Sequence, residues 1–377
     1  MKPYQTINHI VSDIIYDVCS YDIEHYRFMD DIRVQFKDGK SNLTHHKFVD
    51  HKTYWDPQRR TWRNHADNNS TKGATNRVYP GVIDHSFEPI WYDMDEEFWD
   101  IRNNMSLHLP VPIRIAPYPD PSSYPLFVLH SEHASPDVAQ LEQLGYRTAH
   151  WFSHAYLCSE FYFRPYQQLR RVYDYTKRPI WYPWVCANRL IRPHRTDFLE
   201  LLDLTKGTYS LLGKDCRGTV YNGPVPPRSF DTHHNSSAEI NFDGLEDFNT
   251  SFLHVVSETV WQTKIHLTEK IFKPIVLHQP FVLLQAPGSL EYLRSYGFKT
   301  FGDWWDESYD SEEDPKVRMQ QIADIVNWIP SQNLHKMRSE MAEVLEHNYN
   351  HFFNAIPTLV LDELRAQLTM TLGSYSG

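Results

Sequence analysis

The sequence predicts an α/β protein built on parallel sheets flanked by helices and divided into two domains. Three observations carry this. The chain has 377 residues, more than a single hydrophobic core usually serves. Its second half alternates short apolar runs with helical segments, the order of a parallel sheet with crossover helices. From Ser251 to Leu284, an apolar run, an acidic loop at Glu258, a charged helix start at Thr268-Glu269-Lys270 and a second apolar run follow in order. That order sets polar groups at the carboxyl edge of a parallel sheet.

Residues 1 to about 37 alternate apolar and polar groups and predict a helix, then a strand over Ile32 to Phe36. Residues 38–80 are polar, with His45, His46, Arg59, Arg60 and the run NNSTKG, and read as a long loop, an insertion or a lid. Val111 to Ile115 is a short strand candidate. PLFVLHSE, from Pro125, reads as a buried strand ending in polar groups. Ser135-Pro136-Asp137 then opens a helix through Leu144, with proline at an early position and Gly145 at its end. YRTAHWFSHAYLCSE supplies one or two more strands, and Pro165 to Tyr182 is a connector rich in arginine and proline.

The second half repeats the alternation. PWVCANR is a strand, LIRPHR a basic loop, TDFLELLDL a helix and GTYSLLG the next strand. Residues 214–246 are rich in loop residues. After Ser251–Leu284, Gly288 to Tyr296 forms a helix closed by Gly297, Lys299 to Tyr309 is an aromatic and acidic loop, and two or three helices complete the chain. The expected boundaries are an N-terminal α/β domain over 1–178 with the insertion near 38–80, a second α/β domain over 179–345, and terminal helices over 346–377.

Composition narrows the chemistry. A formal charge of -11 and a pI near 6.0 argue against general nucleic-acid binding through a basic face. Glycine is scarce, and neither a dinucleotide fingerprint nor a P-loop string occurs. Cys19, Cys158, Cys186 and Cys216 stand far apart, forming neither a disulfide framework nor a zinc knuckle, and suit a reducing compartment. The N-terminus lacks an apolar signal segment and no apolar run approaches about 18 residues, so the expectation is a cytoplasmic chain with no membrane-spanning segment. Aromatic residues reach 14%, which suits either a large aromatic core or a sugar-handling cleft.

The candidate functional groups gather at two places in the second half. Arg189, Arg192, His194 and Arg195 lie between a predicted strand and a helix, where arginine offers permanently charged, bidentate donors to phosphate oxygens. Thr268 can cap a helix whose N-terminus, with Lys270, favours an anion. Pro274 lies early in that helix, which is therefore kinked or begins nearer Phe272. Glu258 and Glu269 cannot both face phosphate. One is expected to accept hydrogen bonds from ribose or sugar hydroxyls and the other to orient Lys270. Glu269 and Lys270 also fit a plain helix-start ion pair. The pattern points to the diphosphate end of a nucleotide-sugar site.

The run from Phe252 through Leu284 resembles the donor-binding segment of the α1,3-fucosyltransferase family, whose hallmark runs acidic-Asn, spacer, aromatic-x-T-E-K-I. Glu258 stands at the acidic position, and Thr268-Glu269-Lys270-Ile271 match directly. Thr259 replaces the usual Asn, His266 the usual Tyr, and the spacer is about one residue longer than in bacterial members. Pro193-His194-Arg195 is similar to the family's diphosphate-binding arginine at a helix start. The resemblance covers roughly 100 residues, all in the second half. It implies two Rossmann-like domains facing across a cleft (GT-B-like), the second binding the nucleotide sugar and the first the acceptor. It further implies an inverting transfer of a sugar from a GDP- or UDP-linked donor to a glycan or other hydroxyl-bearing acceptor, with no tightly bound cofactor. Arg189, Arg195, Glu258, His266, Thr268, Glu269 and Lys270 would bind the donor.

Such a reaction needs a base for the acceptor hydroxyl. Glu132, at the end of PLFVLHSE, is the candidate, with His133 and then His154 next; the resemblance supplies no match there. Two rivals stand beside this reading. One is a noncatalytic carbohydrate- or nucleotide-binding protein. The other is a metal-dependent hydrolase built on Asp93-Met94-Asp95 and the histidines, although no H-E-x-x-H occurs and His45-His46 and His233-His234 fall in polar stretches. No metal site is expected.

Overall fold

A computed structural model describes residues 127–143, 147–163, 167, 175–188, 191–211 and 245–373; before these it describes the backbone of five strands. Those strands are β1 (Ile32–Lys37), β2 (Asn42–Lys47), β3 (Thr53–Asp56), β4 (Thr61–Asn64) and β5 (Arg77–Tyr79). The chain divides into two compact units. The first comprises Met1–Trp99, Pro110–Tyr156 and Thr358–Gly377, and the second Asp100–Leu109 and Leu157–Pro357.

In the first unit, β1 pairs antiparallel with β2, from Ile32 opposite Lys47 to Lys37 opposite Asn42, and β3 pairs with β4, Trp55 opposite Trp62. The stretch expected to be a loop thus contains strands, His45 and His46 lying on β2. Threonine, tyrosine and tryptophan favour extended backbone even where the overall composition is polar. A third sheet has the order β5–β6–β7, with β6 (Phe127–His130) antiparallel to β5 and parallel to β7 (Arg147–His150). Between them runs α1 (Pro136–Gln143), as its proline at the first helical position predicts. The apolar run after β7 is a helix, α2 (Ser153–Leu157), continued by one π turn over Cys158–Tyr162, and not a second strand. A short buried run does not distinguish strand from helix by periodicity, and Trp151, Phe152, Ala155 and Tyr156 are buried in either form.

The second unit is an α/β layer with a four-stranded, wholly parallel sheet in the order β11–β10–β8–β9. Its strands are β8 (Tyr182–Asn188), β9 (Thr208–Leu211), β10 (Ser251–Ser257) and β11 (Phe281–Leu284). Every residue of β9, β10 and β11 is buried, as expected for strands covered on both faces. Helix α3 (Pro193–Glu200) connects β8 to β9, α4 (Leu245–Asn249) precedes β10, and α5 (Glu269–Val276) connects β10 to β11. The chain therefore steps outward from β8 to β9, returns to the other side of β8 for β10, and steps outward again to β11. The order reverses between β8 and β10, and that reversal marks where open α/β sheets bind ligands.

Helix α3 begins at Pro193, three residues before the expected start, because proline at the first helical turn forfeits no hydrogen bond. Helix α5 begins at Glu269 and carries Pro274 inside it. Phe248 of α4 packs with Val185 and Ala187 on one face of the sheet. Arg195 of α3 neighbours Cys186, whose side chain points to the other face. Gly207 is required, since a side chain there would run into the buried Trp184 indole.

After β11 come α6 (Ser289–Ser295), α7 (Pro315–Trp328), α8 (Leu334–Glu340), α9 (Ala342–Asn354) and α10 (Ile356–Gly373), so the helices after the aromatic loop number four. Gly288 (φ 77°) and Gly297 (φ 89°) adopt left-handed backbone on either side of α6. The start of α6 is capped from a distance: the Asp310 carboxylate accepts the N–H groups of Leu290 (2.8 Å) and Glu291 (2.9 Å). Phe352 of α9 stacks on Phe272 of α5, and His278 stacks between Tyr175 and Tyr349 with centroids 4.3 Å away on each side. Within the first unit, α10 docks on β7 through Thr371 Oγ1–H to Thr148 O (3.0 Å) and Glu363 beside His150 (3.3 Å). Among the described residues no helix is long and apolar enough to cross a membrane.

Candidate functional site

Among the described residues, those at the carboxyl edge of the second unit's sheet gather about Glu258. This residue directly follows β10 and is fully buried. Its N–H donates to Leu284 O (3.3 Å), at the end of β11. One carboxylate oxygen accepts the N–H of Thr268 (2.9 Å) and the other accepts the Thr268 hydroxyl (2.6 Å). Lys270 Nζ lies 3.6 Å from the second oxygen and donates to Glu269 Oε1 (2.8 Å) and Thr268 Oγ1 (2.9 Å). Thr268 stands at the N-cap position of α5, yet its hydroxyl is spent on Glu258 and does not cap the helix, contrary to the sequence expectation.

The other basic element reaches the same residue from the opposite side of its backbone. Arg195 Nη2 donates to Ser257 O (3.3 Å) and Glu258 O (3.4 Å), and His194 Nε2 lies 3.0 Å from Glu258 O. Burial, followed by Arg195 and Arg192, holds the His194 imidazole well below its ordinary pKa. The ring is therefore neutral, with its Nε2–H donated to the carbonyl. Burial and then Arg192 lower the Arg195 guanidinium to about 9. Burial raises the Glu258 carboxyl, against the opposing pull of Lys270.

Arginine 195 and Lys270, about seventy-five positions apart in sequence, thus meet on one residue: the first on its main-chain oxygen, the second on its carboxylate. Arg192, half-buried, precedes α3 at its N-cap position. Arg195 and Lys270 are the cations beside Glu258 and Glu269, and the Arg192 charge lies near Arg195, a gathering of positive charge suited to an anion. The Lys270 side chain keeps 20% of its surface exposed. Both oxygens of Glu258 are engaged, one by the Thr268 N–H and the other by the Thr268 hydroxyl with Lys270 beside it. Its role is to tie the β10 loop to the start of α5.

The remaining sequence candidates fall as follows. His266 is buried, with its carbonyl accepting Gln285 Nε2–H (3.0 Å). Arg189 lies outside the described residues, as do Asp93, Asp95, His233 and His234. Among the described residues no group of three His, Cys, Asp or Glu side chains is placed to hold a metal ion. In the first unit, Glu132 lies two residues beyond β6, is buried, and accepts the Ser135 hydroxyl at 2.7 Å. His130 Nδ1 lies 3.1 Å from the Glu132 carbonyl oxygen. His133 is exposed, its ring edge-on to His150 at 6.2 Å, and His154 is half-buried beside Ser153.

Several residues at this edge carry no recognisable string. Asn188 and Ser257, the last residues of β8 and β10, are each 2% exposed. Asn188 Nδ2 donates to Cys186 Sγ (3.2 Å), while Asn188 Oδ1 and Ser257 Oγ are buried with no partner among the described residues. A buried polar atom in that state costs about 1–3 kcal/mol unless water or a ligand satisfies it. Cys158, in the π turn, is fully buried near Glu269 and Lys270; burial and then Glu269 raise its thiol pKa. Burial lifts the Cys186 thiol to about 12. Only strand ends could have pointed to Asn188 and Ser257, and nothing in the sequence spells a π turn. Compared with known proteins, the chain matches no family model, no curated protein and no solved structure.

Proposed function

We propose that this chain is an inverting glycosyltransferase that moves a sugar from a nucleoside-diphosphate sugar to an acceptor hydroxyl. The observation that carries the reading is the meeting of Arg195 and Lys270 on Glu258, at the carboxyl edge of a parallel sheet. In this reading the two cations receive the charge that develops on the leaving diphosphate. Glu132 takes the proton of the acceptor hydroxyl as that oxygen attacks the anomeric carbon, and the bond from that carbon to the diphosphate breaks. Ser135 holds the Glu132 carboxylate in place. The architecture that goes with this chemistry is a pair of Rossmann-like domains of the GT-B type, the donor on the second and the acceptor on the first. GDP- and UDP-linked sugars are the donors to try.

Titration of GDP and UDP against the wild type, Arg195→Ala and Lys270→Ala tests the donor half. Each substitution is expected to weaken binding by at least about tenfold, the loss of one charge-assisted hydrogen bond. Undiminished affinity in both variants would refute the assignment. Glu132→Gln is expected to abolish transfer and leave GDP and UDP affinity unchanged.

A noncatalytic nucleotide-binding protein is the second reading. What favours it is that Lys270 is already held by Glu258 and Glu269, as in a structural helix-start ion pair. It requires that a wild type binding nucleoside diphosphates show no transfer and no slow hydrolysis of any nucleotide sugar it binds.

A further inference from the structure

Asn188 and Ser257 sit where the sheet reverses its order. They terminate β8 and β10, the two strands flanking the reversal. Residues 253 and 254 of β10 lie opposite 184 and 185 of β8, and the same register carried to the strand ends sets Ser257 beside Asn188. Side chains alternate along a strand, so Asn188 shares a face with Cys186 and Trp184, and Ser257 shares a face with Val255 and Leu253. Because Leu253 and Trp184 are register partners, both strand-end side chains lie on the same face. It is also the face of α3, whose Arg195 neighbours Cys186 and donates to the main-chain oxygen of Ser257 itself.

The chemistry of this pair differs from that of the cations beside it. Asn188 Nδ2 gives one of its two hydrogens to Cys186 Sγ, and the side-chain carbonyl oxygen is buried with no partner among the described residues. A carbonyl oxygen accepts hydrogen bonds and repels phosphate. A serine hydroxyl both donates and accepts. Two buried oxygens at paired strand ends, one an acceptor and one of either kind, suit hydroxyl groups, which both donate and accept. A pyrophosphate on Arg195 has a hydroxyl-bearing ring attached by a single ester link: the ribose of the nucleotide.

We propose that Asn188 and Ser257 form a ribose subsite, taking the 2′- and 3′-hydroxyls of the donor nucleotide while Arg195 takes its diphosphate. This deepens the glycosyltransferase reading and rests on it, since it presupposes that a nucleoside diphosphate binds at this edge. It assigns the ribose to the strand ends and relieves Glu258 and Glu269 of that task. It also makes these two side chains specificity determinants, because a site built to hydrogen-bond a hydroxyl rejects the analogue lacking it.

Calorimetric titration of the full chain with GDP and UDP, their 2′-deoxy and 3′-deoxy counterparts, and inorganic pyrophosphate tests the proposal. The wild type is expected to prefer at least one ribonucleotide over a deoxy counterpart by about tenfold, the worth of one well-made hydrogen bond. Ser257→Ala, which removes one oxygen from a strand end, and Asn188→Ala are each expected to erase most of that preference. Pyrophosphate affinity is expected to stay within about twofold of the wild type in both, since no phosphate contact is removed. Should Asn188→Ala fail to fold, Ser257→Ala alone decides, and far-ultraviolet circular dichroism identifies that case. A wild type indifferent to the loss of either hydroxyl overturns the subsite. So does a preference that survives both substitutions. If Arg195→Ala still weakens GDP or UDP binding in that event, the function proposed above stands without the subsite. If neither GDP, UDP nor pyrophosphate binds the wild type, the function itself is overturned.

Discussion

Glu258 shows how one side chain settles a local structure. It is fully buried, its two oxygens take both donors of Thr268, and Lys270 adds the compensating charge. Burial nevertheless lifts its carboxyl above the ordinary 4.5. The folded protein then holds the Glu258 proton more tightly than the unfolded chain does. Between 4.5 and the raised value the native state binds more protons, so this group's contribution to stability falls as pH rises. Glutamine does not titrate. The stability of the wild type relative to Glu258→Gln should therefore be greatest near about pH 4 and shrink towards about pH 7. Thermal unfolding of both proteins at the two pH values checks this, and a margin that widens with pH would contradict the burial argument. Truncation is a different matter. Glu258→Ala leaves the N–H and hydroxyl of Thr268 without their acceptor, while Lys270 keeps Glu269; it should cost about 1–3 kcal/mol, the cost of an unsatisfied buried polar group.

At the scale of elements, the contrast is between signals that are local and those that are not. The parallel strands were legible because a strand covered on both faces must be apolar throughout, and Ser251–Ser257 and Phe281–Leu284 nearly are. Helices α1 and α6 were legible from Pro136 and from Gly288 and Gly297, residues whose backbone preferences act at their own positions. Helix α2 was not, because burial conceals the period that separates helix from strand. The cap of α6 was not legible either: its ligand, Asp310, lies some twenty residues downstream and arrives only when the aromatic loop folds back. Replacing Asp310 with alanine should cost about 1–2 kcal/mol. In a chain of this size that lowers the Tm by roughly 2–4 °C. Asparagine, which keeps one acceptor, should lose less. Equal Tm values for all three proteins, measured by calorimetry, would mean that the carboxylate does not stabilise the helix.

At the scale of the whole molecule, what the sequence could not convey was which strand lies beside which. A string of alternating strands and helices is compatible with several orders; the observed order β11–β10–β8–β9 sets β8 beside β10 and brings the Arg195 helix and the Thr268 turn to Glu258. The expectation from the sequence was that the two cationic elements serve one diphosphate, and the structure brings both to Glu258; the facing strand ends, Asn188 and Ser257, needed the register. Cys158 and Cys186 have a practical consequence. One neighbours the lysine side of the arrangement and the other the arginine side, and both thiols are shielded from solvent and held protonated. Since the thiolate is the species that reacts, a maleimide should leave both untouched until the surrounding layer opens. Their alkylation, followed peptide by peptide in a mass spectrometer, then becomes a clock for that opening, and a nucleotide that binds the closed form should slow it in proportion to its occupancy.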